Sequence, residues 1–352
     1  MSVVESVELA PGYAVSRLVK GGWQLSTGHS ENTSPDPVAD MMAFVDAGIT
    51  TFDCADIYTG VESQIGRFVE QLRQRRGVEA LAGLKIQTKF VPDLDVLSVI
   101  DRNYVCHVVD RSLRRLRVDR LDLVQFHWWD YGIPGMEETG AMLVELQQAG
   151  KIDQLAGCNF DAVHLGGLVA SGFPAIANQV QFSILDRRPA ASEECWQRLG
   201  TGLVCYGVLA GGLLSARWLS APAPPEPLET RSLRKYLLVV EEFGGWDAFQ
   251  SLLSTLHEIA SRHRVSIANV AVRWVLDQPG VAAVIIGARH AGQLQDNLRV
   301  FSLRLDERDH ASIDACIGRH DGGPRGEVFE LERDRAGVHG SIMAYNLNKE
   351  DK

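Results

Sequence analysis

The 352-residue sequence predicts an α/β fold, a single (β/α)8 barrel, and three observations point to it. A helical stretch that ends at glycine and passes at once into a β-branched strand occurs at least four times. Eight short apolar strand candidates alternate with helices, which calls for a parallel sheet covered on both faces, and eight is the number that closes it. With 45% hydrophobic residues, 23% charged residues and 33 glycines, the composition is globular throughout. Because such barrels use about 250 residues for one core, the length does not divide the chain.

In chain order the strands are expected at residues 17–25, 49–52, 85–90, 121–128, 152–157, 176–182, 203–206 and 281–287. The second follows a helical stretch, 40–47, through Gly48, and the fifth follows 142–149 through Gly150. Gly172 precedes the sixth, and Gly200 and Gly202 precede the seventh; the others are apolar runs of buried-strand type. One helix start reads as a capping box, Thr59-Gly60-Val61-Glu62, followed by Ile65, Phe68, Val69 and Leu72 at helical spacing. After the seventh strand, residues 211–246 break the pattern with a proline-rich stretch at 221–227, expected to be irregular and to act as a lid or binding loop. The barrel is expected to span 1–317, with the polar segment 318–352 a tail folding over its mouth.

The net charge of −10 comes without a basic stripe, so neither nucleic acid nor an anionic membrane face is expected as a partner. No stretch approaches the roughly 20 apolar residues of a membrane span, and the first residues lack a secretory apolar core, so a cytoplasmic protein is expected. Cys54, Cys106, Cys158, Cys195, Cys205 and Cys316 are widely spaced, without zinc-type pairing, and read as reduced thiols that pack the core; no metal is expected.

Catalytic residues of a (β/α) barrel stand at the carboxyl ends of its strands. Asp53, Lys89 and His127 end the second, third and fourth strands, Asn159, Gln181 and Tyr206 end the next three, and Tyr58 lies just before the helix start. Each alone is compatible with an ion pair or packing, but four titratable groups on one rim point to chemistry. A tyrosine acts as a general acid only if its pKa is tuned towards the working pH. Moving a phenol from ~10 to ~7 takes about 4 kcal/mol, roughly what one ammonium about 4 Å away supplies, so Lys89 is expected to activate Tyr58 while Asp53 keeps the lysine charged. His127 is expected to bind a substrate oxygen as charge develops there.

The sequence resembles the aldo/keto reductases. Gly21-Gly22-Trp23, Phe52-Asp53-Cys54-Ala55-Asp56-Ile57-Tyr58, Thr88-Lys89, Phe126-His127, Cys158-Asn159, Asn178-Gln179-Val180-Gln181 and Ile286-Gly287-Ala288-Arg289 occur in that family's order, from about Gly21 to Asn297. The resemblance implies catalysis by Asp53, Tyr58, Lys89 and His127, usually with NADPH. It places the nicotinamide amide against Asn159 and Gln181 and its ring on Tyr206, beside which Gly207 is expected to open space. Gly22, Trp23 and Asp53 join the cofactor set, as do Val208, Leu209, Gly211, Leu213 and Ser215 near the pyrophosphate. Ile286, Gly287, Ala288, Arg289, Gln293 and Asn297 line the adenosine end, where the Arg289 guanidinium suits a 2′-phosphate and favours NADPH over NADH. The chain departs from the family at Cys158, where many relatives have serine, at Gln293, arginine in some branches, and in its long tail.

Trp23, Tyr58, His127, Trp128 and Trp129 are the expected substrate contacts, for a small-molecule carbonyl such as a sugar or small aliphatic aldehyde. Arg187, Arg188, Arg325, Arg333 and Arg335 are candidates for an anion contact should loops carry them over the mouth; no oligomeric state is assigned. No G-x-G-x-x-G fingerprint is present, against a Rossmann dehydrogenase. Two rivals remain: a Schiff-base lyase using Lys89, and a non-catalytic NADP(H)-binding regulator or sensor.

Overall fold

A computed structural model describes residues 4–27, 34–287, 290–320 and 322–348. Eight parallel strands close in the order β10-β3-β4-β5-β6-β7-β8-β9. They are β3 (Leu18–Gly21), β4 (Thr51–Asp53), β5 (Lys85–Phe90), β6 (Leu121–Phe126), β7 (Ile152–Cys158), β8 (Ala175–Gln181), β9 (Gly202–Tyr206) and β10 (Val281–Ile286). All eight expected strands are present, several a few residues shorter. The first is a four-residue strand whose expected continuation is a 3-10 turn, Trp23–Leu25.

A feature absent from the sequence reading precedes the barrel. Strands β1 (Ser6–Ala10) and β2 (Tyr13–Ser16) form an antiparallel hairpin about Pro11-Gly12. Its Tyr13 and Val15 pack with Val19, Leu123, Ala156, Ala177, Val204 and Ala283, so the hairpin plugs the floor of the barrel.

The outer layer consists of α1 (Pro37–Asp46), α2 (Val61–Arg76), α3 (Arg102–Leu116), α4 (Met136–Gln148), α5 (Ala162–Ala170), α6 (Glu193–Leu199), α7 (Arg231–Phe243), α8 (Gly245–His263), α9 (Ile267–Leu276), α10 (Leu294–Asn297), α11 (Glu307–Arg319) and α12 (Glu330–Arg333). Their apolar faces and the outward strand residues make one continuous core.

Two local expectations are corrected. The capping box at Thr59 does not form: Gly60 is the N-cap, and Glu62 turns inward to accept from Thr88 Oγ1 at 2.7 Å and from Arg115 Nη1 at 3.2 Å. The segment 211–246 is not irregular throughout. Past the prolines, Thr230 caps α7, whose Leu233, Tyr236, Val239, Val240 and Phe243 recur at helical spacing and are buried.

At the opposite end from the hairpin, the segment after α11 crosses the carboxyl ends of the strands. The Arg333 guanidinium donates to the carbonyls of Trp128, at 3.3 Å, and Asn159, at 2.7 Å, while Asn348 Nδ2 donates to Val91 O at 2.6 Å. No helix among the described residues is long and apolar enough to cross a membrane.

Candidate active site at the barrel mouth

The ends of β4 and β5 lie side by side and bring Asp53 against Lys89. The Lys89 ammonium donates to both Asp53 oxygens at 2.8 Å and to Cys54 O at 2.7 Å, so all three of its protons are engaged. Asp53 is further gripped by Gln179 Nε2 at 2.6 Å and Gln125 Nε2 at 3.3 Å. Both glutamines come from the barrel interior and were not expected as site residues: Gln125 belongs to none of the quoted motifs, and Gln179 stands within Asn178-Gln179-Val180-Gln181, where only Gln181 carried an expected role.

Tyr58 stands over this pair, with Lys89 Nζ 5.3 Å from its ring centroid and the Trp23 ring 4.9 Å away. Its phenol is pushed above its usual value: burial dominates, the Lys89 ammonium opposes it, and Asp53 adds to the rise. For Lys89 burial is the largest single effect and lowers the ammonium, but Asp53, by charge and hydrogen bond, together with Tyr58 and Cys158 outweighs it and raises the group. The expectation that Lys89 alone brings Tyr58 towards neutrality is therefore corrected. The ammonium, already held by Asp53 and by Cys54 O, only partly offsets the cost of desolvating a phenolate.

His127 follows β6 directly and is buried. Its Nδ1 lies 2.9 Å from Cys158 O, a carbonyl that can only accept, so Nδ1 carries a proton. Burial, reinforced by Arg333 and Lys89, lowers the imidazole to about 3 and keeps it neutral. Nε2 is then a buried lone pair, and it has no hydrogen-bond partner among the described residues. The expectation that His127 donates to a developing oxyanion gives way to an acceptor role. Burial pushes the neighbouring Cys158 thiol up to about 12, leaving it neutral.

The expected nicotinamide residues gather on the same rim. Tyr206 donates its hydroxyl to Asn159 Oδ1 at 3.0 Å, Gln181 Nε2 donates to Asp186 Oδ2 at 2.7 Å, and Gln181 Oε1 is buried without a partner among the described residues. Gly22 N donates to Asp53 O at 2.7 Å, beside Trp23. Leu209, Ile286 and Asn297 line one small cleft with Leu18, Ala268, Asn269 and Val272, towards the expected adenosine end. Ser215 Oγ donates to Gly212 O, Val208 and Leu213 are buried, Gly287 closes against Gln24, and Gln293 ends a 3-10 turn. Ala288 and Arg289 lie outside the described residues.

Gly207 does not open free space beside Tyr206 as expected, and both Gly207 and Gly211 lie against Tyr236 of α7. Both have positive φ, and a Cβ would lie 2.4 Å from the Tyr236 hydroxyl at Gly207 and 2.8 Å from the Tyr236 ring at Gly211. The space beside Tyr206 is thus taken by α7. Among the substrate candidates, Trp129 stacks edge-on to His127 at 4.3 Å, but Trp128 is fully buried against Phe126 and donates to Ile133 O, so it packs the core.

The later segment adds residues that the sequence reading had not placed. The Phe329 ring lies 5.4 Å from the His127 ring, and Lys235 Nζ lies 5.3 Å from the Tyr206 ring centroid. Glu332 pairs with Arg188 and with Lys235, both at 3.3 Å. Of the arginines considered for an anion contact, Arg188 and Arg333 do reach the mouth, but carboxylates and backbone carbonyls hold them there. Arg187 donates to Gly322 O, and Arg335 pairs with Asp130 at the surface.

These residues fit a nicotinamide cofactor on observations of the site itself. The buried unpaired oxygen of Gln181 is an orphaned acceptor that the N–H of a carboxamide satisfies, and the unpaired His127 Nε2 is a second acceptor, suited to the hydroxyl of an alcohol. Among the described residues no group of three or more His, Cys, Asp or Glu is placed to hold a metal.

Comparison with known proteins gives a concordant picture. Residues 17–318 match the model of the aldo/keto reductase family. The chain is 30% identical over 341 residues to the uncharacterized oxidoreductase YrpG of Bacillus subtilis, covering 91% of this chain and 96% of that protein. It is 26% identical over 334 residues to the aldo-keto reductase YhdN of the same organism, covering 90% and 95%. The structure of a glycerol dehydrogenase from Gluconobacter oxydans superposes with a TM-score of 0.73 at 24% identity, covering 92% and 98%, which supports the fold.

Proposed function

Because the chain belongs to the aldo/keto reductase family and is an oxidoreductase, we propose that it reduces an aldehyde or ketone, a sugar or small aliphatic aldehyde, with NADPH. The family generally binds NAD(P)H. One observation carries the reading: Tyr58 stands above a saturated Lys89–Asp53 pair, within one buried rim that also holds the unpaired Nε2 of His127.

When bound, the nicotinamide supplies the hydride, and the protein's work is to place the carbonyl and deliver a proton. Tyr58 is protonated at working pH because burial raises its phenol, which is the form a reductase needs. Once the proton has moved to the alkoxide oxygen, the Lys89 ammonium steadies the tyrosinate, and Asp53 keeps the ammonium in place. His127 Nε2, which has no partner among the described residues, is available to accept from the hydroxyl of the product alcohol. Trp129 and Phe329 flank the imidazole and exclude water. Asn159 and Gln181 would hold the nicotinamide's carboxamide, and Arg289, by its residue type, would favour the 2′-phosphate of NADPH.

A Schiff-base role for Lys89 is disfavoured by the three acceptors around its ammonium, since that chemistry starts from the neutral amine. We assign the reaction to the cytoplasm, where the six free thiols stay reduced. The test is a cofactor-oxidation screen over sugars, aldehydes and keto acids with NADPH and NADH. Faster turnover with NADPH supports the reading; NADPH binding without oxidation by any carbonyl replaces it with a sensor.

A further inference from the structure

We infer that Asp186, backed by Arg188 and Glu332, is a positioning network that fixes which end of the Gln181 amide faces the mouth. This rests on the reading of that mouth as a nicotinamide site.

The two ends of a glutamine amide are nearly the same size, so shape alone does not orient it; its partners do. Gln181 Nε2 donates to Asp186 Oδ2 at 2.7 Å. Asp186 is itself held in a fork by Arg188, Nε to Oδ1 at 3.0 Å and Nη2 to Oδ2 at 2.8 Å, and is fully buried. A carboxylate paired in this way only accepts. The amide nitrogen is therefore committed to Asp186, and the oxygen is left as the buried, unpaired atom.

The complementary end is set across the rim. Asn159 Oδ1 accepts from the Tyr206 hydroxyl at 3.0 Å, an arrangement that leaves Asn159 Nδ2 to face the site. One side chain donates and the other accepts, which matches a carboxamide and mismatches any group that lacks the N–H.

Arg188 does not stand alone. Its Nη1 reaches Glu332 Oε2 at 3.3 Å and Glu327 O at 3.4 Å, both in the segment that crosses the mouth, and Glu332 is also paired with Lys235 of α7. The polarity of the subsite is thereby tied to the docking of residues more than a hundred positions further along the chain.

The test compares dissociation constants, by calorimetry, for NADP+ and for its 3-acetylpyridine analogue, in which a methyl replaces the amide nitrogen. Wild-type protein should prefer NADP+ by about tenfold, one hydrogen bond to an otherwise unpaired buried acceptor. Asp186→Asn can donate or accept, so the Gln181 amide is free to turn and the preference should fall to about onefold to twofold. Glu332→Gln leaves Asp186 in place but loosens Arg188, and an intermediate ratio is expected. Unchanged affinity for 2′,5′-ADP, which occupies only the adenosine end, certifies that each variant is folded. A wild-type ratio near one overturns the proposal, whatever the variants do, and so does a wild-type ratio retained in both variants. Wild-type protein that binds neither dinucleotide overturns the functional reading along with it.

Discussion

Two buried charge clusters lie under the same mouth and are built differently. The Asp53–Lys89 cluster takes its members from β4, β5, β6 and β8, and each proton of the ammonium has an acceptor within 2.8 Å. The Asp186–Arg188–Glu332–Lys235 cluster joins the loop after β8, α7 and α12, and its links to Glu332 are longer, at 3.3 Å. Strand-borne charges are fixed by the barrel's own ladder, whereas loop-borne charges are fixed only when their segments dock. On the proposed function, the first cluster would serve the chemistry and the second the organisation of the binding surface.

The largest expected effect lies at the first cluster. Tyr58→Phe should lower the reduction rate by about 10²–10⁴-fold, with the NADPH dissociation constant nearly unchanged, and Lys89→Met should do similar damage to steady-state rates. Asp53→Asn strands a buried ammonium and should cost about 3–5 kcal/mol in urea unfolding. Glu332→Gln leaves Arg188 with Asp186 and should cost less, about 1–3 kcal/mol. Equal losses for these two variants would erase the distinction between the clusters.

The pH dependence sharpens the same contrast. His127 lies at about 3 and Tyr58 is raised above its usual value, so the turnover number for reduction should be flat from about pH 5 to about pH 9 and fall only beyond the ordinary tyrosine range. An inflection near pH 7 would instead report Asp56, which burial and then Glu62 raise to about 7 and which meets Asn348 of the crossing segment. Asp56 stabilises the fold fully only below its unfolded value of about 4, and that stability is lost as pH rises through about 7. Asp56→Asn should therefore raise the melting temperature by about 2 °C at about pH 8 and leave it unchanged at about pH 4, measured by thermal scans.

The barrel and the strand-end residues were legible because both follow from local pattern. Glycine-closed helices feed apolar strands, and Asp53, Lys89 and His127 stand where parallel strands deliver side chains to one rim. Asp186, Lys235 and Glu332 were illegible for the converse reason: nothing near each residue indicates a partner far along the chain. Burial was the other blind spot. The sequence shows an ammonium beside a phenol, but not the desolvation that moves the phenol upwards, nor the Cys158 carbonyl that selects the imidazole tautomer. The hairpin had a readable signal, alternation of Val7 and Leu9 with Tyr13 and Val15 about Pro11-Gly12, which went unread beside the stronger barrel pattern.

That hairpin gives the molecule a working polarity for anyone who attaches something to it. Its strands seal the pole remote from the candidate site, while Phe329 to Asn348 run across the barrel mouth. A reporter or surface tether joined ahead of Ser6 would hang from the inert side, and the same cargo joined beyond Asn348 would crowd the doorway.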